Sequence, residues 1–236
     1  MTDEDNKNMK VLELRNYLLK PKAREKFIEY FENHFIDSQN MSGGYVLGQF
    51  RIKGKDDRFL WMRGFEDMQS RLAFLRGFYE EGEVWKKFGT GANEMILESD
   101  NVYLLKPLNN ETFNSDDFAK EKGIVMIDFY FANDNQLDKL AGFFQTDYVS
   151  FLKNKPTLWI SEMTENDFPR LPVIQDRNLL VAITTFKDGS DYQSQLNLSA
   201  ELKNRMLGFL ARKSSLIIYP TEKSLLGGYR LNRMHR

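Results

Sequence analysis

Two stretches of this chain can be laid over one another, FLWMRGFED at 59–67 and LVAITTFKD at 180–188, with Phe65 over Phe186 and Asp67 over Asp188. Tyr17 likewise falls over Tyr130. The repeat is far longer than a solenoid period, so the chain reads as a duplicated domain. Whatever one half folds into, the other half repeats.

The first half begins with MKVLELRNYLL at 9–19, where Leu12 and Leu14 alternate with Glu13, Arg15 and Tyr17, the period of a strand with two different faces. Pro21 suits the first turn of a helix whose buried stripe is Phe27, Ile28, Phe31 and Phe35. GYVLGQFRI at 44–52 is a second strand, and the GKDD after Lys53 turns it into a third as a hairpin. In that third strand Phe59, Trp61, Arg63 and Phe65 alternate with Leu60, Met62 and Gly64, so both faces are buried at least in part. Asp67 stands where an N-cap belongs, and Leu72, Leu75, Phe78, Tyr79 and Trp85 predict a helix over 67–88. NVYLLKP at 101–107 closes a βαββαβ order.

The second half repeats it. GIVMIDFYFA is a strand, Leu137, Leu140, Phe144, Tyr148 and Phe151 mark a helix, and TLWISEM and NLLVAITTFKD are strands. Residues 196–212 suit a helix, and SLIIYPT ends the repeat. The expected organisation is a unit at 9–107, a polar linker at 108–122, a second unit at 123–221, and a basic tail at 222–236 read as a strap. The fold class is α+β: two tandem ferredoxin-like units. Each would leave one sheet face open, bearing Tyr17, Phe59, Trp61 or Met126, so the units are expected to pack sheet to sheet as a pseudo-two-fold α/β barrel.

Composition narrows the function. With 33 basic against 34 acidic residues and a net charge of −1, no global field recruits nucleic acid or an anionic membrane. The chain has no cysteine, which excludes disulfides, thiolate metal sites and a cysteine nucleophile. No run is apolar enough to span a bilayer, and MTDEDNKN lacks the character of a secretory or transit signal, so a cytoplasmic location is expected. No carboxylate cluster has calcium-loop spacing, and Gly43-Gly44 and Gly227-Gly228 lack the pattern of a phosphate loop. Neither a metal nor a nucleotide cofactor is expected.

The candidate site is Glu13, Arg15, Tyr17, Trp61 and Arg63 with Asp128 and Tyr130, all placed by alternation on the face expected to point into the barrel. Buried charges must pair, so Arg15 and Arg63 are expected to meet Glu13 or Asp128 there. Such a network either fixes how the halves dock, the preferred reading, or holds an anionic or planar ligand. The loop at 164–177, with Phe168 and Arg170, serves as a lid or as a wall of the same site. His34 is the one internal candidate for a haem ligand, although a histidine beside the Phe31 and Phe35 stripe is more often a packing residue.

ELRNY at 13–17, FLWMRGFED at 59–67, FY at 78–79, Trp85, Ala92-Asn93 with Met95, DNVYLLKP at 100–107 and SEMTENDFPRLPV at 161–173 occur in an order and spacing that resemble the NIPSNAP family over nearly the whole chain. The resemblance implies a dimeric α/β-barrel fold and, for most bacterial relatives, no established activity. The chain departs from the family at Phe88, where a histidine or other polar residue is expected after the helix tryptophan. With no nucleophile–base pair, metal cluster or nucleotide motif, a barrel binding a small anionic or aromatic ligand, or a partner, is favoured over an enzyme. The alternative, from the broader superfamily, is a cofactor-independent oxygenase or a haem-binding or haem-modifying enzyme acting on an aromatic substrate. A homo-oligomer is compatible with either.

Overall fold

The computed structural model describes residues 8–109, 111–113, 123–191 and 200–227. The first half runs β1 (Val11–Leu19), α1 (Arg24–His34), α2 (Ile36–Met41), β2 (Tyr45–Ile52), β3 (Lys55–Phe65), α3 (Met68–Arg76), a π-helical turn (Gly77–Glu81), α4 (Glu83–Asn93), β4 (Ile96–Glu98) and β5 (Val102–Pro107). The second runs β6 (Ile124–Ala132), α5 (Leu137–Phe143), a π-helical turn (Phe144–Tyr148), a 3-10 turn (Val149–Phe151), β7 (Thr157–Ser161), β8 (Leu179–Phe186), α6 (Ala200–Phe209) and β9 (Leu210–Pro220). Residues 196–199, expected in the last helix, lie outside the described residues, and that helix gives way to β9 at Leu210 instead of running to 212.

All strand pairs are antiparallel, in the order β3-β2-β9-β6-β8-β7-β5-β1, and β1 pairs back onto β3. This closes an eight-stranded barrel, with the short β4 added at the end of β1. Within the halves the orders β2-β3-β1-β5 and β7-β8-β6-β9 correspond strand for strand. The halves meet edge to edge, through β2–β9 and β5–β7, and do not stack as two separate sheets. Closure removes the exposed strand edges that each half alone would present.

The barrel interior is filled by Leu12, Leu14, Leu60 and Met62 from the first half and by Val125, Ile127, Phe129 and Val181 from the second. The other face of β1 and β3, with Tyr17, Phe59, Trp61 and Phe65, lies against Phe27, Phe31 and Phe35 of the helical layer and against Phe74 and Phe78. This reverses the expected orientation, in which Glu13, Arg15, Tyr17, Trp61 and Arg63 pointed into the barrel. Alternation separates the two faces but does not say which is enclosed when both are buried. The interior around Leu12, Leu14, Leu60 and Met62 is apolar, with Asn16 and Arg58 on the same face further along the ladder, whereas the helical layer carries Gln39, Arg71 and Tyr79, which pair the charges.

Two local features set the helical layer. Asp67 caps α3 in a capping box: its carboxylate accepts from Ser70 N at 2.7 Å and Ser70 Oγ accepts from Asp67 N at 2.9 Å. The expected continuous helix breaks at Gly82, whose extended backbone (φ −67°, ψ 125°) brings it so near the preceding turn that a Cβ would stand 2.4 Å from Phe78 O. No helix among the described residues is long and apolar enough to cross a membrane. In the segment expected as a linker, Phe113 is buried and bridges to Met9, and residues 110 and 114–122 lie outside the described residues.

Leu60 is fully buried inside the barrel. We expect Leu60→Ala to destabilise the fold by about 2–5 kcal/mol in urea unfolding at unchanged slope. A loss below about 1 kcal/mol, the level of a surface position, would contradict the assignment of this face to the interior.

Candidate functional site

Along β1, Glu13, Arg15 and Tyr17 fall on the helix-facing side, and the antiparallel register with β3 sets Glu13 opposite Arg63 and Arg15 opposite Trp61. Opposite charges placed directly across a strand pair attract. α3 then brings Arg71 down onto the same carboxylate. Glu13 Oε2 accepts from Arg15 Nη1 at 2.8 Å and from Arg63 Nη2 at 2.6 Å, and Oε1 accepts from Arg71 Nε at 2.7 Å. All four side chains are essentially inaccessible to solvent.

The remaining donors reach outward. Arg63 Nη1 donates to Gln39 Oε1 at 2.6 Å and to Tyr79 Oη at 3.3 Å, and Arg15 Nε donates to Tyr17 Oη at 3.0 Å. Arg71 Nη1 donates to Asn166 Oδ1 at 3.0 Å, and Asn166 Nδ2 in turn donates to Leu171 O at 3.1 Å, which fastens the 164–177 loop over the cluster. Aromatic rings surround the guanidinium groups: Arg63 lies 4.7 Å from the Phe74 ring centre and 5.1 Å from that of Trp61, and Arg15 lies 5.4 Å from the latter.

Burial pushes the Glu13 carboxyl up, but attraction to Arg63, then Arg15 and Arg71, outweighs it and holds Glu13 well below the usual carboxylate range. For Arg15, burial works against the charge, while Tyr17 and Glu13 raise it above its ordinary value. The Tyr17 phenol is pushed up from its ordinary 10.0 by burial, which outweighs the opposing pull of Arg15. At neutral pH the cluster is therefore one carboxylate, three guanidinium groups and a protonated phenol.

Between this face of the sheet and the helical layer lies a cavity of about 220 Å³, lined by Tyr17, Phe31, Phe35, Trp61, Phe78 and Trp85 among others. Gln39 and Tyr79 also line it, and Phe168 and Arg170 contribute from the loop. Phe168 is buried, and the exposed Arg170 donates to Glu80 Oε1 at 3.0 Å.

The structure therefore brings together Glu13, Arg15, Tyr17, Trp61, Arg63, Phe168 and Arg170. Asp128 and Tyr130 are elsewhere. They lie on β6, separated from β1 by β3, β2 and β9, where Asp128 accepts from Tyr130 at 3.1 Å and from Ser215, with Lys213 Nζ at 3.3 Å. The expected meeting of Arg15 or Arg63 with Asp128 does not occur, because each half turns this face toward its own helices.

His34 is not among the cavity-lining residues. Its ring stacks on Phe88 at 3.9 Å, inclined by 9°, so the residue that departs from the family pattern is the one that covers it. The cavity, at about 220 Å³, is smaller than the roughly 300–1,000 Å³ of drug-sized sites. Among the described residues no three His, Asp or Glu side chains gather as a metal site.

Arg71, Gln39 and Tyr79 enter the site without having been expected there, Tyr79 having been read only as part of the helix stripe and of the FY motif. For Arg71 a signal exists: it occupies the first position of the 71, 74, 75, 78 stripe, whose other members Phe74, Leu75 and Phe78 are all buried. A charge in a core stripe needs a partner, and Glu13 is that partner.

Replacing Glu13 strands three buried cations, so Glu13→Ala is expected to cost at least about 3–5 kcal/mol. The folded pKa of Glu13 lies below its ordinary 4.5. Its stabilisation is then complete above about pH 4.5 and is lost as pH falls below that value. Urea unfolding between about pH 3 and 7 should show an acid-side loss of stability in the wild type that Glu13→Gln lacks. Equal acid slopes in the two proteins would contradict the assignment.

No protein-family model matches the sequence, and no curated protein is a significant match. Among solved structures, a "putative monooxygenase" from Lactobacillus acidophilus aligns at a TM-score of 0.60 and 11% identity, covering 90% of this chain and 94% of that one. An anthrone oxidase-like protein aligns at 0.57 and 8% identity over 98% of both chains. A NIPSNAP family protein from Agrobacterium tumefaciens is 20% identical but covers only 43% of this chain, and 88% of its own, at a TM-score of 0.39 that carries no argument. Over 90–98% of its length the chain aligns with the first two of these, both α/β barrels, and at 8–11% identity the likeness is one of fold alone.

Proposed function

We propose that this chain is a small-ligand-binding α/β barrel, built as two tandem ferredoxin-like units related to the NIPSNAP proteins, with one working site in its first half. The observation that carries this is the asymmetry between the halves. In the second half the layer over Tyr130 is packed by Phe144, Tyr148, Leu202 and Met206, and the cavity of about 810 Å³ lined by Gln145, Val149, Leu158 and Ile183 among others has no buried cluster of charges among the described residues of its wall. In the first half, the equivalent layer keeps a cavity of about 220 Å³. A void lined by large apolar side chains forfeits packing energy, so an unfilled one beside polar groups suits a ligand. The aromatic walls suit a planar one.

A second reading, cofactor-independent oxygenation of an aromatic substrate in the same cavity, is favoured by the full-length fold likeness to an anthrone oxidase-like protein. It differs in requiring oxygen to be consumed. An oxygen electrode with an anthrone as substrate distinguishes the two: uptake matched to substrate lost, and abolished on blocking the cavity, selects the enzyme.

Ala92 is buried in α4 and lines the cavity. We expect Ala92→Leu, which projects a larger apolar side chain into that space, to weaken binding of 2-naphthoate at least about tenfold in calorimetric titration while the protein stays folded by circular dichroism. Unchanged affinity in the folded variant would place the ligand elsewhere.

A further inference from the structure

The polar groups around the cavity are turned in one direction. Tyr17 Oη and Tyr79 Oη each accept from an arginine N–H, as does Gln39 Oε1. Because guanidinium only donates, the Gln39 amide must offer its oxygen to Arg63 and keep its NH₂ free. No described residue accepts from the Tyr17 hydroxyl, the Tyr79 hydroxyl or the Gln39 amide. Since all three residues line the cavity, two phenol O–H groups and an amide NH₂ are available to donate to what occupies it.

The layer beneath has the same polarity. Trp61, 1% exposed, has an indole N–H with no partner, and Arg71 Nη2 has none either. Each is a donor, and no acceptor of the cluster is unpaired. Three guanidinium groups face one buried carboxylate, and the other carboxylate in pairing range, that of Asp167, lies 3.9 Å from Arg71 Nη1 at the partly exposed rim. The low-dielectric floor of the cavity thus carries a surplus of positive charge that neighbouring side chains do not cancel. Asn93 and Ser99, which could accept, stand at the exposed mouth.

We infer that the cavity selects a planar aromatic oxyanion, a carboxylate or a phenolate, whose oxygens accept from Tyr17, Tyr79 and Gln39 above the three buried arginines. The inference rests on the ligand-binding reading and narrows it to one chemical class. An amine would meet donors with donors and cation with cation, and a neutral alcohol would gain the hydrogen bonds without the charge. The three tyrosine and glutamine groups act as relays: the arginines do not touch the ligand, but they set which way each lining group points.

Three probes of one shape separate these terms: 2-naphthoate, 2-naphthylmethanol and the 2-naphthylmethylammonium ion, titrated calorimetrically and by quenching of tryptophan fluorescence. In the wild type, naphthoate should bind at least about tenfold more tightly than the alcohol, and the ammonium ion most weakly. Gln39→Glu keeps an oxygen for Arg63 and replaces the NH₂ by a carboxylate. It should weaken naphthoate at least about tenfold and strengthen the ammonium ion. Tyr79→Phe, at a half-buried position, should weaken naphthoate several-fold and the alcohol by a smaller factor, since a hydrogen bond to a charged acceptor is the stronger one. If the alcohol binds as tightly as naphthoate, selection for an oxyanion is overturned while the ligand site stands. If none of the three binds, the ligand site falls with it.

Discussion

A carboxylate removed from water at the centre of the first half is the constraint on which the rest depends. Glu13 is fully buried and could not remain ionised there without compensation. Its compensation comes from three directions: along its own strand (Arg15), across the ladder (Arg63) and from the helix above (Arg71). Each arginine then needs its other N–H groups satisfied, which recruits Tyr17, Gln39, Tyr79 and Asn166. One buried charge therefore specifies a strand register, the seat of α3 on the sheet, the position of α2 through Gln39, and the course of the 164–177 loop. A buried ion pair is rarely the most stabilising choice available, but removing one member strands the others.

Much of this was legible from the sequence, and the part that was not has a definite cause. Strand identity came from period-two alternation in 9–19, 59–65 and 123–132, and the capped start of α3 came from Asp67; both follow local rules that tertiary context did not override. Which face of β1 and β3 is enclosed did not follow, because Leu12 and Leu14 on one side and Tyr17 and Trp61 on the other are all buried. Deciding between them needs the knowledge that the halves close edge to edge, a long-range property. Arg71 was hidden for a related reason. It occupies a core position of an amphipathic helix, but which buried acid lies beneath it depends on how α3 seats on the sheet.

The two halves share a strand order and differ at this cluster. Arg15 and Tyr17 of the first half correspond to Asp128 and Tyr130 of the second, and each pair keeps its hydrogen bond two residues apart on one strand face. In the second copy, however, the charge is reversed and answered locally by Ser215 and Lys213, the latter at an exposed position. The helices there pack directly onto Tyr130, with Phe144 and Tyr148 in ring contact. The cap at Asp67 has its counterpart in Asp188, which accepts from Ser190 and Asp191. The strand order is thus common to both halves, while the cationic cluster belongs to the first.

The structural and the ligand-binding interpretations of this cluster are not alternatives. Satisfying the arginines requires acceptors, and the acceptors available at the cavity wall are two phenols and a primary amide, each of which also carries protons. Once their oxygens accept from the guanidinium groups, their protons remain free to be donated. Had the wall been built from carboxylates, Arg15 and Arg63 would have been neutralised and the cavity would face no surplus charge. Had it been aliphatic, their N–H groups would be buried without partners, at a cost of about 1–3 kcal/mol each. Tyr17, Gln39 and Tyr79 are the solution that completes the fold and transmits the polarity of its buried charges to whatever occupies the space above them.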